Sequence, residues 1–304
     1  MTYRKITLDM ILAATSLTRS RSETNETYLQ RVTHLHLQGQ KLKKIEKLDQ
    51  CTNLKVLYLY DNHIEFVENL GFAAILQYLY LQNNLIKEIP PLPTMVNLTK
   101  LFLDENEIQY VTGLDMCVKL EELRIADQRL PQFTALEFDP VCLEAFSRTL
   151  KVLEISGNGI RSLLPFSKLY RLKSLICANN HVTDISHVQN IVTLTELESA
   201  DFSGNPCCKV SRYRDLVISA SSDALCHLDT IRIQRHQHIA IRGLQAHRRR
   251  IGVAMPQRTS FEDEEEEEQQ ADDGLNMMPM GEGEVGMGMG MDSSLVDGEG
   301  DEMQ

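Results

Sequence analysis

The feature that most constrains this chain is a recurrence of leucines. The pattern Leu-x-x-Leu-x-Leu-x-x-Asn-x-apolar returns with its second apolar position at Leu35, Leu57, Leu79, Leu101, Leu123, Leu153, Leu175 and Ala200. The steps are 22, 22, 22, 22, 30, 22 and 25 residues. Each unit holds a triplet such as Leu57-Tyr58-Leu59, whose in-out alternation is that of a short strand. A unit this short cannot bury its own apolar edge, so successive units must stack and share one continuous core.

Eight copies at these spacings resemble leucine-rich repeats. The resemblance implies an α/β solenoid: a curved parallel sheet inside, with short helical or 3₁₀ pieces on the convex side and a cap at each end. The polar slot after each strand is Asn62, Asn84, Asn106, Asn158, Asn180 and Asn205, where an amide satisfies backbone groups as the chain turns away. Gln40 and Gln128 replace Asn in repeats one and five, so the ladder is expected to be imperfect there. Apolar residues then follow at steps of three, as in Ile64, Val67 and Leu70, which suits 3₁₀ turns. Leu8, Ile11, Leu12 and Thr15 have helical spacing and suit a helix over the first repeat. Gly204-Asn205-Pro206, Tyr213-Arg214-Asp215-Leu216 and Leu225–Ile231 resemble a C-terminal repeat cap. The long fifth repeat contains Asp139-Pro140, an N-cap and first-turn pair, followed by Val141, Leu143, Phe146 and Leu150; a convex helix is expected there. The layout reads as cap 1–30, repeats 31–205, cap 206–231, a basic helix 232–258 and a disordered acidic tail 259–304.

Charge follows the same segmentation. The net charge is −12, but 259–304 has 16 acids and no base, while 231–258 has seven Arg and no acid. Residues 1–230 therefore carry 24 bases against 27 acids, or −3. The tail, rich in Glu, Gly and Met, lacks the apolar surface to offset its chain entropy. The basic stretch suits an acidic surface, nucleic acid, a nuclear address or its own Glu264–Glu268 run, the last being the preferred reading. No apolar run reaches a membrane span, and Asp9 interrupts the only N-terminal apolar stretch, so neither membrane nor secretory signal is expected. Seven scattered Cys fit a cytosolic thiol protein better than a disulfide scaffold. Phosphate-loop, nucleophile and zinc-hydrolase motifs are absent, so a non-enzyme with no cofactor is expected. His34 and His36 lack a nearby Cys or carboxylate and read as surface histidines rather than metal ligands; Cys207-Cys208 reads as cap filler.

The register also assigns the residues of the inner face, just before, between and after the two inward apolar positions. Tyr58, Tyr80 and Phe102 share one column, with Tyr60 and Tyr78 beside them. Strands about 4.8 Å apart make these rings contiguous. Large aromatic patches mark binding surfaces; the competing reading is that the rings brace one another. Asp104, Glu105, Glu122, Arg124, Asp127 and Glu154 form a charged zone beside them, suited to a basic partner or to plain solvation. A broad face favours a folded protein over a small molecule, and its acids disfavour nucleic acid.

With these motifs in view, a family resemblance follows. Val56-Leu57-Tyr58-Leu59-Tyr60-Asp61-Asn62 and Leu79-Tyr80-Leu81-Gln82-Asn83-Asn84 look like repeats of the leucine-rich-repeat regulators of protein phosphatase 1. Gln128-Arg129-Leu130-Pro131, Phe138-Asp139-Pro140 and Leu153-Glu154-Ile155-Ser156 are similar in order and spacing, and the likeness spans roughly 5–235. It implies a non-enzymatic subunit that binds the phosphatase catalytic subunit with its concave face. It also implies association with centrosomes, basal bodies and cilia or flagella, including contact with γ-tubulin or tubulin. An Arg/Lys-Val-x-Phe docking peptide is missing: Arg31-Val32-Thr33-His34 lacks the aromatic. Two alternatives stay open, a microtubule adaptor like the leucine-rich-repeat light chain of outer-arm dynein and a nuclear histone-binding protein like the acidic leucine-rich-repeat phosphoproteins.

Overall fold

Each Leu-x-Leu triplet forms a strand, and the strands stack in register. In a computed structural model, which describes residues 3–250, the inner sheet begins with β1 (His34–His36), β2 (Val56–Tyr58), β3 (Tyr78–Tyr80) and β4 (Lys100–Phe102). A separate short strand, β5 (Tyr110–Val111), precedes β6 (Glu122–Arg124), and another, β7 (Glu137–Phe138), precedes β8 (Val152–Glu154). β9 (Ser174–Ile176) and β10 (Ser199–Asp201) follow, then β11 (His227–Leu228) and β12 (Ile231–Arg232). The ten-stranded order is β1-β2-β3-β4-β6-β8-β9-β10-β11-β12, parallel throughout except for the antiparallel last pair. Leu57 pairs with Leu35 and Leu79, and Leu101 with Leu79 and Leu123, so equivalent leucines form one buried column. Each such side chain contributes about 1.5–3 kcal/mol on burial. The repeat spacing thus produces the expected leucine-rich-repeat solenoid.

Below the strands the steps of three become consecutive i→i+3 turns. Ala73 N–H donates to Leu70 at 3.0 Å and Leu76 N–H to Ala73 at 3.0 Å, and Cys117 and Leu120 repeat the arrangement. Repeat six extends this into a 3₁₀ segment, Leu164–Lys168, and repeat seven into a helix.

The polar ladder is more regular than the Asn/Gln alternation suggests. Asn106 accepts from Ile86 N–H through Oδ1 and donates through Nδ2 to the carbonyls of Leu81 and Leu103. Gln128 takes the same place: Oε1 accepts from Ile108 N–H at 3.0 Å, and Nε2 donates to Leu103 and Ala126 at 2.9 and 3.1 Å. The expected gap at repeat five is therefore corrected, since Gln carries the same amide one methylene further out. Gln40 does depart, binding Arg4 and its own strand, because no earlier repeat stands before it. The residue before each amide is left-handed: Asp61, Asn83, Glu105, Asp127 and Asn179 have φ of 50–57°, and Gly39, Gly157 and Gly204 fill the remaining places. Asp, Asn and Gly suit that region, and Glu105 is the strained member.

At the N-terminus, α1 (Leu8–Ala13) buries Ile11 but leaves Leu8 exposed, and α2 (Asn25–Gln30) buries Tyr28 and Leu29. Thr7 and Thr24 cap these helices with their hydroxyls. The Ala14 carbonyl accepts from His36 N–H at 2.9 Å and covers part of the β1 edge. In the long repeat, α3 (Pro140–Phe146) starts at Asp139, whose Oδ1 accepts from Val141 N–H at 2.9 Å. Cys142, Leu143 and Phe146 face the core; Val141, expected among them, points out, one position off that stripe. A feature without a sequence signal accompanies it: β5 and β7 pair in parallel as a second, two-stranded sheet.

Helix α4 (Ile185–Ile191) lies in repeat seven. The C-terminal end is closed by a 3₁₀ turn Pro206–Lys209, by α5 (Tyr213–Ala220) and by β11 with β12. Arg214 donates to the carbonyls of Leu228 at 3.0 Å and Ile231 at 3.3 Å. Ile231, placed within the cap motif, is itself exposed. The chain then continues as α6 (Arg235–Arg250). The rest of the basic stretch, the acidic tail and the expected pairing with Glu264–Glu268 lie outside the described residues.

Candidate protein-interaction surface

The inner sheet lines up side chains from consecutive repeats, and one column is aromatic. His36 stacks on Tyr58 with ring centroids 4.4 Å apart, Tyr58 on Tyr80 at 4.7 Å, and Tyr80 on Phe102 at 4.5 Å. The Arg124 guanidinium closes the row, 5.5 Å from the Phe102 centroid. The rings are thus contiguous, as the register requires, and they brace one another face to face. Stacked in this way, Tyr58 and Tyr80 are half-buried. Phe102, sandwiched between a ring and a guanidinium, is only 8% exposed, which corrects its placement as an open surface residue. Glu122, placed on the same face by register, is buried as well, at 8%, and so is Val56 at the start of β2, at 4%. Tyr60 and Tyr78 are half-buried beside the column, and Lys100 Nζ lies 5.8 Å from the Tyr78 centroid.

The charged zone is ordered around Glu122. Its two oxygens take Lys100 Nζ and Arg124 Nε, each at 2.7 Å. Burial works to raise the Glu122 pKa, but the hydrogen bonds from Lys100 and Arg124 prevail and hold the carboxyl below its usual range. The bond to Glu122 likewise raises Lys100. Asp104 and Glu154 behave oppositely. Burial pushes Asp104 up, against a 2.8 Å bond from Ala126 N–H and the charge of Arg124. Burial pushes Glu154 up too, opposed by Ser156 and reinforced by Asp104. These two carboxylates are where an incoming cation would gain most. Glu105 and Asp127, placed in the zone by register, are exposed residues of the turns after the strands.

Three participants lie outside the aromatic and charged sets that the register defines. Lys100 stands directly across from Glu122 in the neighbouring strand, and a base one strand from an acid is the signal for it. The ring of His36 begins the stack, and His34 Nδ1 sits 3.0 Å from the Thr33 hydroxyl. Arg129 belongs to the Gln128–Pro131 motif. It donates to the carbonyls of Asn84 and Glu105 and to Asn83 Oδ1, tying repeat five to repeats three and four.

No enclosed cavity opens on this face among the described hollows. Those of about 410 and 300 Å³ lie at Glu46–Asp49 with Asn69–Phe72 and at Val67–Gly71 with Pro90–Met95, below the strands. Among the described residues, no group of three or more His, Cys, Asp or Glu is arranged to hold a metal, and no helix is long and apolar enough to cross a membrane. Burial raises the Cys51 and Cys117 thiols to about 11 and 12, which makes them poor nucleophiles.

The stacked parallel strands define a leucine-rich-repeat solenoid, an architecture that presents an extended concave surface. Two stretches, 76–116 and 148–190, match the family described as Leucine Rich repeats (2 copies). The solved structure of an internalin (inlF) from Listeria monocytogenes is similar with a TM-score of 0.53 at 21% identity, over 73% of this chain and 67% of that one. An internalin C2 (inlC2) from the same organism gives 0.51 at 20%, over 67% of this chain and 88% of that one. At such identities the likeness speaks for the fold alone.

Proposed function

We propose that the inner face binds the catalytic subunit of protein phosphatase 1 and positions or regulates it at microtubule structures such as the centrosome, basal body or cilium. The observation that carries the binding is the braced aromatic row from Tyr58 to Phe102, running into the Lys100–Glu122–Arg124 network. A pre-stacked row loses little side-chain entropy on association, and Asp104 and Glu154 beside it favour a basic partner. The choice of phosphatase rests on the likeness of the repeats and of Gln128-Arg129-Leu130-Pro131 to protein phosphatase 1 regulatory subunit 42, the testis leucine-rich repeat protein. The cellular site and the γ-tubulin or tubulin contact rest on that likeness alone.

The test is capture of the catalytic subunit by the full chain and by a Tyr60→Ala/Glu154→Ala variant, with folding followed by circular dichroism. Capture is expected to fall at least tenfold with the spectrum unchanged. Undiminished capture removes the reading. A second reading, a microtubule adaptor that carries no phosphatase, is favoured by the missing Arg/Lys-Val-x-Phe peptide. It predicts that no phosphatase catalytic subunit co-purifies from ciliary extract.

A further inference from the structure

The chain carries a second surface, remote in sequence from the aromatic row. Helix α6 (Arg235–Arg250) contains no acid along its 16 residues. One side of it is tied down. His238 is buried, with Nε2 2.9 Å from the Leu225 carbonyl oxygen. Arg242 donates to the Ser221 carbonyl at 2.5 Å and pairs with Asp223, while Ile241 packs on the core. These ties decide which face looks outward. At 100° per residue, Arg235, Ala246, Ile239, Arg250, Gly243 and His236 fall in one 100° sector that starts beside Arg242 and turns away from the ties, and all six are exposed.

Two properties of the face are costly for the folded chain by itself. Arg235 stands in the first turn, where the free N–H groups already carry positive charge and an acid is favoured, and that turn has none. Ile239 is 67% exposed in the middle of an arginine-bearing face. Among the described residues, Arg235 and Arg250 pair with no carboxylate.

We infer that this face docks an extended acidic segment of a partner protein, with an apolar side chain among its carboxylates. The spacing sets the size: Arg235 to Arg250 spans about 22 Å, the reach of six to seven extended residues. Guanidinium groups pair with carboxylates in fixed planar geometry, and Ile239 gives an apolar residue between them a seat. A duplex nucleic acid or an anionic bilayer fits less well. Either presents a broad negative surface, whereas the positive strip is one helix wide and residues 1–230 beside it are net negative, at −3. A phosphate row also leaves Ile239 without an apolar neighbour. This inference does not depend on the phosphatase reading.

The test uses the full chain and a fluorescent probe peptide, Ac-Glu-Glu-Gly-Leu-Glu-Glu-Glu-NH2, followed by anisotropy at low salt. Saturable binding is expected, weakened about tenfold by Arg235→Glu/Arg250→Glu and about threefold by Ile239→Ser, with unchanged helicity because these side chains are exposed. Failure of the full chain to bind the peptide overturns the inference, as does equal binding by the charge-reversed variant. Tighter binding of a 20-base-pair duplex or of phosphatidylserine vesicles under the same conditions also overturns it. So does peptide binding that appears only after Glu264–Glu268 are changed to Gln, which would assign the face to the chain's own acidic run.

Discussion

Tyr80 and Phe102 lie 4.5 Å apart with their rings 5° from parallel. Their stacking makes the same side chains both a brace and the proposed binding edge, so substitutions in the column mix two effects. Phe102→Ala removes a buried ring and unseats Tyr80 and Arg124; a loss of about 3 kcal/mol in stability is expected. Tyr60, beside the column, is half-buried and joins no ring stack among the described residues, so Tyr60→Ala is expected to cost roughly 0.5–1 kcal/mol. Thermal unfolding of the two variants checks the difference. Equal losses would mean that the row does not brace the sheet.

The amide ladder leads to a sharper stability prediction. Asn106→Ala strips the Ile86 N–H and the Leu81 and Leu103 carbonyls of a partner inside the core. A loss of about 2–4 kcal/mol is expected. Gln128→Ala is expected to cost as much, because it orphans Ile108 N–H and takes one of two donors from each of the Leu103 and Ala126 carbonyls. Chemical denaturation of both variants tests this. A Gln128→Ala loss below about 1 kcal/mol would restore the imperfect ladder that the residue type alone suggests.

The contrast between Asn106 and Phe102 explains what was legible beforehand. The ladder, the strands and the leucine column follow from a period, and a period needs no knowledge of rotamers: Leu57, Leu79 and Leu101 must share a column if the units stack. The aromatic column was placed by the same reasoning. Exposure was not, because whether Phe102 stands free or lies between Tyr80 and Arg124 depends on χ angles that the pattern does not encode. The β5–β7 pair was hidden for a related reason. Tyr110-Val111 and Glu137-Phe138 are too short to show alternation, and they meet only because the long repeat carries them past each other. Arg129 spans 45 residues to reach Asn84, a distance at which local patterns carry no information.

Arg129 supplies a prediction of its own. A guanidinium reaches the Glu105 carbonyl at 2.6 Å together with the Asn84 carbonyl and Asn83 Oδ1 at 3.4 Å; a single ammonium cannot serve all three. Arg129→Lys is expected to lose about 1 kcal/mol, a modest figure because the side chain is exposed. The loss should be local. Hydrogen exchange is expected to quicken at 83–106 and to stay unchanged in repeats seven and eight. Uniform acceleration across the solenoid would show that Arg129 does not act as a tie between repeats three and five.

Asp104 and Glu122 should respond to pH with opposite signs. Burial raises the Asp104 pKa, so its contribution is stabilising below the ordinary carboxylate range and is lost as pH rises through the raised value. Asp104→Asn keeps an oxygen for Ala126 N–H and removes that loss, so the variant is expected to be more stable than the parent near pH 7. The Glu122 pKa is lowered by Lys100 and Arg124, in spite of burial, so its contribution is present above the ordinary value and is lost as pH falls through the lowered one. Glu122→Gln is therefore expected to be less stable than the parent near pH 7. As pH falls, the Asp104→Asn difference should vanish first, at the raised value, and the Glu122→Gln difference only below the ordinary carboxylate range. Melting temperatures of the three proteins across this range decide the matter. Shifts that run parallel to the parent at every pH would mean that the Lys100–Glu122–Arg124 network and the Asp104 site are not electrostatically distinct.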